Sequence, residues 1–249
     1  VPYIEVIHDH GSIEIQRGCS RGCRFCQAGM IYRPVRERGR EDVIDGVNKI
    51  CTNCGYSKVS LFSLSTGDYP DIEELITRLS QQHYKDGLIL SLPSLRLNFS
   101  IAISRLPFFA GGKINLTFAP EAGSERLRRV INKNISEGLI LDVMTSLFDK
   151  GVASIKLYFM MGLPTETMDD IKSIAELVKR IRRLGKGNGR RQPRLSISLS
   201  TLIPKPHTPF QWLAQEVEEQ LAPKYVLLRQ ELRREQVKLS WHDPEASQL

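Results

Sequence analysis

Three of the five cysteines lie within eight positions, in the stretch Arg17-Gly18-Cys19-Ser20-Arg21-Gly22-Cys23-Arg24-Phe25-Cys26-Gln27-Ala28-Gly29-Met30. Their spacing, C-x3-C-x2-C, follows directly on the apolar/polar alternation Ile13-Glu14-Ile15-Gln16, which reads as a strand. Three thiolates on a compact, glycine-bearing loop can converge on one soft metal centre, zinc or an iron–sulfur cluster. Three cysteines do not close a four-ligand zinc site. On a cubane cluster they leave one iron without a protein ligand, and chemistry could occur at that open corner. A zinc knob and redox-inert thiols are the plainer readings of the same residues.

The remaining cysteines, Cys51 and Cys54, are spaced C-x-x-C. A second metal, or completion of a zinc site, would be their functional reading. Yet Val43, Ile44, Val47, Ile50, Cys51 and Cys54 recur at helical spacing, with Gly55 as the C-cap. The pair thus continues a buried stripe, where free cysteine behaves as a small hydrophobe. An odd number of cysteines clustered at metal spacing argues for a reducing cytoplasm over a disulfide framework.

The elements that must hold the cysteine loop alternate between strand and helix. Lys58–Leu64, Leu88–Leu92, Ile114–Ala119, Ile155–Met160 and Leu195–Leu199 read as strands. Helical faces fall between them: Ile72, Leu75, Ile76 and Leu79 after Pro70, and Leu139, Ile140, Val143, Met144, Leu147 and Phe148 closed by Lys150-Gly151. Thr167 with Asp170 predicts a capping box for a helix carrying Ile171, Ile174, Leu177, Val178 and Ile181. A weaker helical stretch runs near Ile101 to Leu106, and a long terminal helix from about Pro223 to Lys238. Such alternation implies parallel βα units. About six of them fall short of the eight of a closed barrel. The expected architecture is therefore α/β, a partial (β/α)6 TIM-like barrel of parallel strands with outer helices. One domain accounts for the chain, with a barrel over about residues 12–212 and a C-terminal helix and tail beyond it. The chain opens at Val1 without a methionine, close to its first strand, as expected of a piece cut from a longer protein.

Composition sets outer limits. The chain has 249 residues, 41% hydrophobic and 25% charged, which suits one large globular core. No apolar run approaches the roughly 18 residues of a membrane span, and no signal-peptide pattern opens the chain. A formal charge of +7 points to an acidic partner, nucleic acid first, or to a basic but inert surface.

In a barrel, sites form at the C-terminal strand ends. The cysteine loop, Ser65-Thr66-Gly67-Asp68, Glu121–Ser124 and Met160–Glu166 all fall at such ends, on one rim. Several strands alternate apolar with polar residues: Leu116 and Phe118 with Thr117, Leu157 and Phe159 with Lys156 and Tyr158, Ile197 and Leu199 with Ser196 and Ser198. A persistently polar face suits a wet, concave, ligand-holding side. Singly, Asp68 reads as a helix cap, Glu121 as a solvated acid and the methionines as core filler.

The cysteine spacing, with aromatic Phe25 before the third ligand, resembles the signature of the radical S-adenosylmethionine (SAM) superfamily. Further stretches sharpen the likeness: Cys26-Gln27-Ala28-Gly29-Met30-Ile31-Tyr32-Arg33-Pro34-Val35-Arg36, Ala119-Pro120-Glu121-Ala122-Gly123-Ser124-Glu125-Arg126-Leu127, Lys156–Thr167 and Pro204–Trp212. Together they resemble the uncharacterised radical SAM family whose full-length members carry an N-terminal cobalamin-binding-like region, and they are similar to the methylthiotransferases of transfer RNA and ribosomal protein. The resemblance implies a 4Fe-4S cluster on Cys19, Cys23 and Cys26, with SAM on the open iron. It implies that Ser65, Thr66, Gly67 and Asp68 meet the methionyl amine, that Glu121 reaches the ribose hydroxyls, and that Met160, Met161 and Gly162 lie against adenine. Lys156 would pair the SAM carboxylate. The implied reaction is one-electron cleavage of SAM to methionine and a 5′-deoxyadenosyl radical, which abstracts hydrogen from a substrate carbon. Implied partners are a reductant such as flavodoxin or ferredoxin, an RNA or ribosome-associated substrate, the missing terminal domains of a longer chain and, in that longer protein, cobalamin.

Other classes of function stay open on the residues alone: a nucleic-acid-binding module with a structural zinc or cluster, and a cluster that only relays electrons. Arg21, Arg24, Arg33, Arg36, Arg38 and Arg40 lie on the active rim, where some would neutralise a cluster and others meet phosphates. Lys179, Arg180, Arg182, Arg183, Lys186, Arg190, Arg191 and Arg194 fall on the opposite rim, as a solvated or docking face. His207, between prolines, reads as structural, and Phe210 and Trp212 as a cover over the cavity or sheet edge.

Overall fold

A computed structural model describes residues 9–92, 95–97, 115–185 and 193–241, together with Ile4 and Val6. In chain order the elements are β1 (Gly11–Glu14), β2 (Gln16–Arg17), α1 (Gln27–Ile31), β3 (Arg36–Glu37), α2 (Arg40–Cys54) and β4 (Lys58–Phe62). A 3-10 turn (Thr66–Asp68), α3 (Ile72–Gln82), β5 (Ile89–Ser91), β6 (Asn115–Glu121), α4 (Glu125–Val130) and α5 (Glu137–Asp149) follow. The chain then runs through β7 (Ser154–Met161), α6 (Met168–Leu184), β8 (Arg194–Thr201), α7 (Glu218–Leu232) and β9 (Lys238–Trp241). The expected helix near Ile101–Leu106, the strand start at Ile114, Pro93, and Lys186, Arg190 and Arg191 lie outside the described residues.

Strands β1-β4-β5 pair in parallel, as do β6-β7-β8-β9, while β2 and β3 form a short antiparallel ribbon flanking the cysteine loop. The expected α/β partial barrel of parallel strands and outer helices holds. Its cause is the alternation along each strand. Ile155, Leu157, Phe159 and Met161 of β7, with Ile197 and Leu199 of β8, are wholly buried against Ile171, Ile174 and Val178 of α6 and Val143, Met144 and Leu147 of α5. Each such side chain withdrawn from water contributes roughly 1.5–3 kcal/mol. Strand period 2 then leaves Lys156, Tyr158, Met160, Ser196, Ser198 and Ser200 on the other, concave face.

Helix ends follow the sequence signals. Gly55 ends α2 with φ 72°, Gly151 follows α5 with φ 73°, and Thr167 and Asp170 form the reciprocal capping box of α6. Strand ends shift by one or two residues from expectation, and the terminal helix differs most. The terminal helix begins at Glu218, upstream of Pro223, and stops at Leu232; a turn with Gln236 at φ 51° leads into β9, a strand that extends the sheet beyond β8. Pro223 is the sixth residue of this helix, past its first turn, so the helix forms without the bond that an N–H there would give to the Glu219 carbonyl. Cys51 packs against the core as expected, but Cys54, in the last position of α2, is exposed.

One contact fixes the β6–α4 loop against the outer layer. A Cβ on Gly123 would sit 2.8 Å from the Cα of Ile174 and overlap the adjoining backbone. Gly123→Ala should therefore cost about 1–3 kcal/mol in urea denaturation. Gly46→Ala meets only the flexible end of Ile13 and gains helix propensity, so it should change stability by less than about 1 kcal/mol.

Candidate functional site

The cysteine loop has almost no secondary structure of its own and is held by side chains and backbone from elsewhere. Arg21 grips Asp68 through both nitrogens of its fork, Nε at 2.8 Å, and Ser65 Oγ donates to the same carboxylate at 2.8 Å. Asn132, just past α4, donates from Nδ2 to the carbonyl of Gly22 at 2.9 Å and, at longer range, to that of Arg21. The Arg24 N–H donates to the Ile131 carbonyl at 3.0 Å, and its guanidinium caps the Val130 carbonyl at 2.6 Å. Gln27 reaches Pro206 across 179 positions of sequence. Gly18 has φ 91°, and a Cβ there would run into the Tyr32 and Pro34 carbonyls, so the loop can turn only on glycine.

The five cysteines are all free thiols. Cys26 N-caps α1, its sulfur accepting from Gly29 N–H at 3.4 Å. Cys23 interacts electrostatically with Cys26, and Arg21 with both Cys19 and Cys23, so the trio shares one electrostatic neighbourhood. Burial pushes the Cys23 thiol above its ordinary range, against the pull of Lys133 and Arg96. Among the described residues no three His, Cys, Asp or Glu side chains draw together tightly enough for a single metal ion. Three free thiols in a cationic setting fit a soft cluster whose negative charge needs neighbouring cations.

The rim residues fall into place around this loop. Ser65 and Thr66 are buried, Thr66 bonding Ser63 at 2.9 Å, while Gly67 and Asp68 are partly open. Glu121 ends β6 beyond a register shift, with φ 68°, and pairs with Lys133 at 3.0 Å. Left-handed backbone costs a non-glycine residue roughly 1–2 kcal/mol and persists only where neighbours impose it. Here the neighbour is Arg128, wholly buried, which donates to the carbonyls of Ala122, Gly123 and Ile135 at 2.9, 2.8 and 2.7 Å. Phe25 and Met160 pack on one small apolar cluster of Ala122, Leu127, Ile131, Leu163, Leu202 and Phe210, which underlies the ends of β6, β7 and β8. Gly162 has φ 76° and gives its N–H to Glu166, itself held with Glu216 by Lys224. The two carboxylates outweigh burial and keep the Lys224 ammonium above its ordinary pKa.

Several expectations change on this geometry. Lys156 shares Met160's face but lies four residues earlier, about 13 Å down the strand, with its ammonium 4.6 Å from the Tyr158 ring centroid. Most rim arginines are engaged inside the chain: Arg21 by Asp68, Arg24 and Arg33 by carbonyls, Arg38 by the Glu14 carbonyl, Arg40 by Glu74. Lys179 and Arg180 of the opposite rim pair with Glu231 and Glu137. Phe210 is buried as expected, whereas Trp212 stands 88% exposed, against the expected cover over the cavity or sheet edge. Arg96, Arg128, Asn132, Lys133 and Lys224 lie at this candidate site and carry no spacing signal that could have revealed them. A cavity of about 400 Å³, lined by Glu14, Gln16, Arg17, Gly18, Tyr32, Phe62 and Leu64, opens beside the base of the cysteine loop.

Asp170 ties two rim loops together, accepting from Ser124, Arg126 and Thr167. Burial alone would raise its pKa, but these bonds outweigh it and hold the carboxyl below its ordinary 3.8. Between the two pKa values the unfolded chain binds more protons, so the contribution is full above the ordinary value and fades as pH falls through the folded one. Urea midpoints between pH 6 and pH 3 should fall more steeply for the natural protein than for Asp170→Asn. Asn132→Ala should speed amide hydrogen exchange in residues 18–26 while lowering global stability by about 1–2 kcal/mol or less.

Comparison with known proteins bears on this site. The model of the Radical SAM superfamily matches residues 13–178. A protein of Methanocaldococcus jannaschii, described as uncharacterised, is 36% identical over 240 residues, covering 93% of this chain and 48% of its own. The ribosomal protein uS12 methylthiotransferase RimO of Treponema denticola is 25% identical over 224 residues, 78% of this chain and 47% of its own. The radical S-adenosylmethionine methyltransferase TsrM of Kitasatospora setae, solved with cobalamin and a 4Fe-4S cluster, superposes with a TM-score of 0.58 at 15% identity, over 86% of this chain and 40% of that one, a likeness of fold. The chain spans about half the length of the curated relatives it matches.

Proposed function

The chain belongs to the radical SAM superfamily, and we propose that it is an enzyme in which Cys19, Cys23 and Cys26 hold a 4Fe-4S cluster beside a rim that holds SAM. The observation that carries this reading is the latch between the loop and the rim. Arg21 joins the cysteines to Asp68 at the end of β4, and Asn132 joins them to the segment after β6. When bound, the cluster and SAM supply one-electron cleavage of the sulfonium and hydrogen abstraction from carbon.

The chain's own part is to bind, orient and exclude water. Arg21, Arg96 and Lys133 set positive charge around the thiols, which would offset the negative charge of a bound cluster. Ser65, Thr66, Gly67 and Asp68 receive the methionyl amine, the Asp68 carboxylate keeping lone pairs beside those used by Arg21. Glu121 receives the ribose hydroxyls. Met160, Gly162 and Phe25 face the adenosine from the apolar cluster beneath them, which keeps water from that side.

Beyond this, the methylthiotransferase relatives support an RNA or ribosome-associated substrate, and the fold neighbour supports cobalamin in a longer parent chain with further domains. A flavodoxin- or ferredoxin-like donor would supply the electron, in the cytoplasm. No helix among the described residues is long and apolar enough to cross a membrane.

The test is the triple variant Cys19→Ala, Cys23→Ala, Cys26→Ala, prepared anaerobically beside the natural protein with iron, sulfide and reductant. The natural protein should take up a brown cluster and release 5′-deoxyadenosine from SAM. The variant should keep its far-ultraviolet circular dichroism and lose both. Iron retained by the variant, or a colourless zinc centre in the natural protein, would overturn the reading in favour of a structural metal module.

A further inference from the structure

The concave face of β6–β9 carries charge that the cluster and SAM leave unused. Register places Thr117, Lys156, Ser196 and Lys238 side by side on four adjacent strands. The alternation that buries Leu157, Ile197 and Leu239 toward the helices turns all four to the other side. One row below lie Asn115, Ser154 and Arg194, and one row above lie Tyr158, Ser198 and Ser240. These rows hold three cations and no carboxylate. Neither Lys156, Lys238 nor Arg194 makes an ion pair among the described residues. Elsewhere on the rim the chain pairs its cations: Arg21 with Asp68, Lys133 with Glu121, Lys224 with two glutamates.

Depth separates this row from the SAM rim. Lys156 lies about 13 Å below Met160 along β7, farther than a lysine side chain spans. Lys156 and Lys238 are two strands apart, about 10 Å between Cα atoms, so both ammonium groups can lean onto one group above Ser196. Lys156 is half-buried over the Tyr158 ring, which shields it on one side and aims it into the concavity. Among the described residues the Ser196 hydroxyl makes only a long 3.5 Å contact with the Ile155 carbonyl, which leaves it able to turn toward a ligand.

We propose that this row is an oxyanion subsite: Lys156 and Lys238, with the hydroxyls of Thr117 and Ser196, hold a phosphate or carboxylate of the substrate. The substrate is then an anion whose reacting carbon lies on the order of 10 Å from that charge, up at the rim. Lys156 serves the substrate and not the SAM carboxylate. The inference rests on the radical SAM reading, which makes the concave face the substrate's side.

The test uses the cluster-loaded protein with its lysines reductively 13C-dimethylated, which keeps their charge. The Lys156 and Lys238 resonances are assigned by their loss in Lys156→Arg and Lys238→Arg. Inorganic phosphate and acetate are titrated separately, with chloride at matched ionic strength as control. Both resonances should shift saturably with phosphate or with acetate, the responsive probe naming the source, and not with chloride. Lys156→Gln and Lys238→Gln should each weaken that binding about ten-fold, the loss of one charge-assisted bond. Saturating SAM should leave the oxyanion affinity unchanged. An equal response to chloride, no saturable response, or displacement of the anion by SAM would overturn the subsite. Failure of the same sample to release 5′-deoxyadenosine would instead strike the underlying reading, so the two are told apart.

Discussion

Everything at the rim depends on pinning a loop that cannot pin itself. Residues 18–26 must present three sulfurs outward, so their backbone is spent on tight turns and not on a ladder. Their polar groups find partners far away in sequence, Asp68, Ile131 and Asn132, and the adjoining Gln27 reaches Pro206. Because these anchors stand on different βα units, the loop is set only when the sheet is complete. The geometry of the loop is thereby a product of the whole sheet, as is common for sites built on strand ends.

The anchors are themselves over-determined. Glu121 takes a left-handed backbone that its own side chain disfavours, and the buried Arg128 fork under Ala122 and Gly123 imposes it. Gly123 lets that loop touch α6 directly, and Asp170 at the start of α6 bonds back to Ser124 and Arg126. Charge has been collected at the loop by Arg21, Arg96 and Lys133, then counterbalanced by Asp68 and Glu121. On the concave floor Lys156 and Lys238 make no ion pair among the described residues.

Much of this was legible in the sequence, for reasons that can be named. The cysteine spacing is local, so the loop that carries the candidate ligands is visible without any structure. Strand period 2 and helix period 3.6 are also local, and they gave β4, β7, β8, α5 and α6 together with the capping box at Thr167. What escaped reading is what tertiary contact decides. Asn132 and Lys133 follow an arginine-rich helix and carry no spacing signal, yet they lie against a loop some 110 positions earlier. Arg128 reads as one more surface arginine until its burial is seen. The end of α7 was misread because 232–238 contains no glycine or proline to stop a helix; Lys238-Leu239-Ser240-Trp241 is a strand only because β8 lies beside it. The rim arginines read from the sequence as neutralising a cluster or meeting phosphates, and composition cannot tell a bonded guanidinium from a waiting one.

The coordination of the three sulfurs is best probed by electron paramagnetic resonance of the reduced, reconstituted protein, recorded with and without SAM carrying 15N at its amine. A cluster with one corner open to that molecule will show a spectrum that shifts when SAM is added and a hyperfine coupling to the labelled nitrogen. A signal indifferent to SAM, or one without nitrogen coupling, would mean that the polypeptide closes every corner of the centre, and the assignment of this rim to SAM would be wrong.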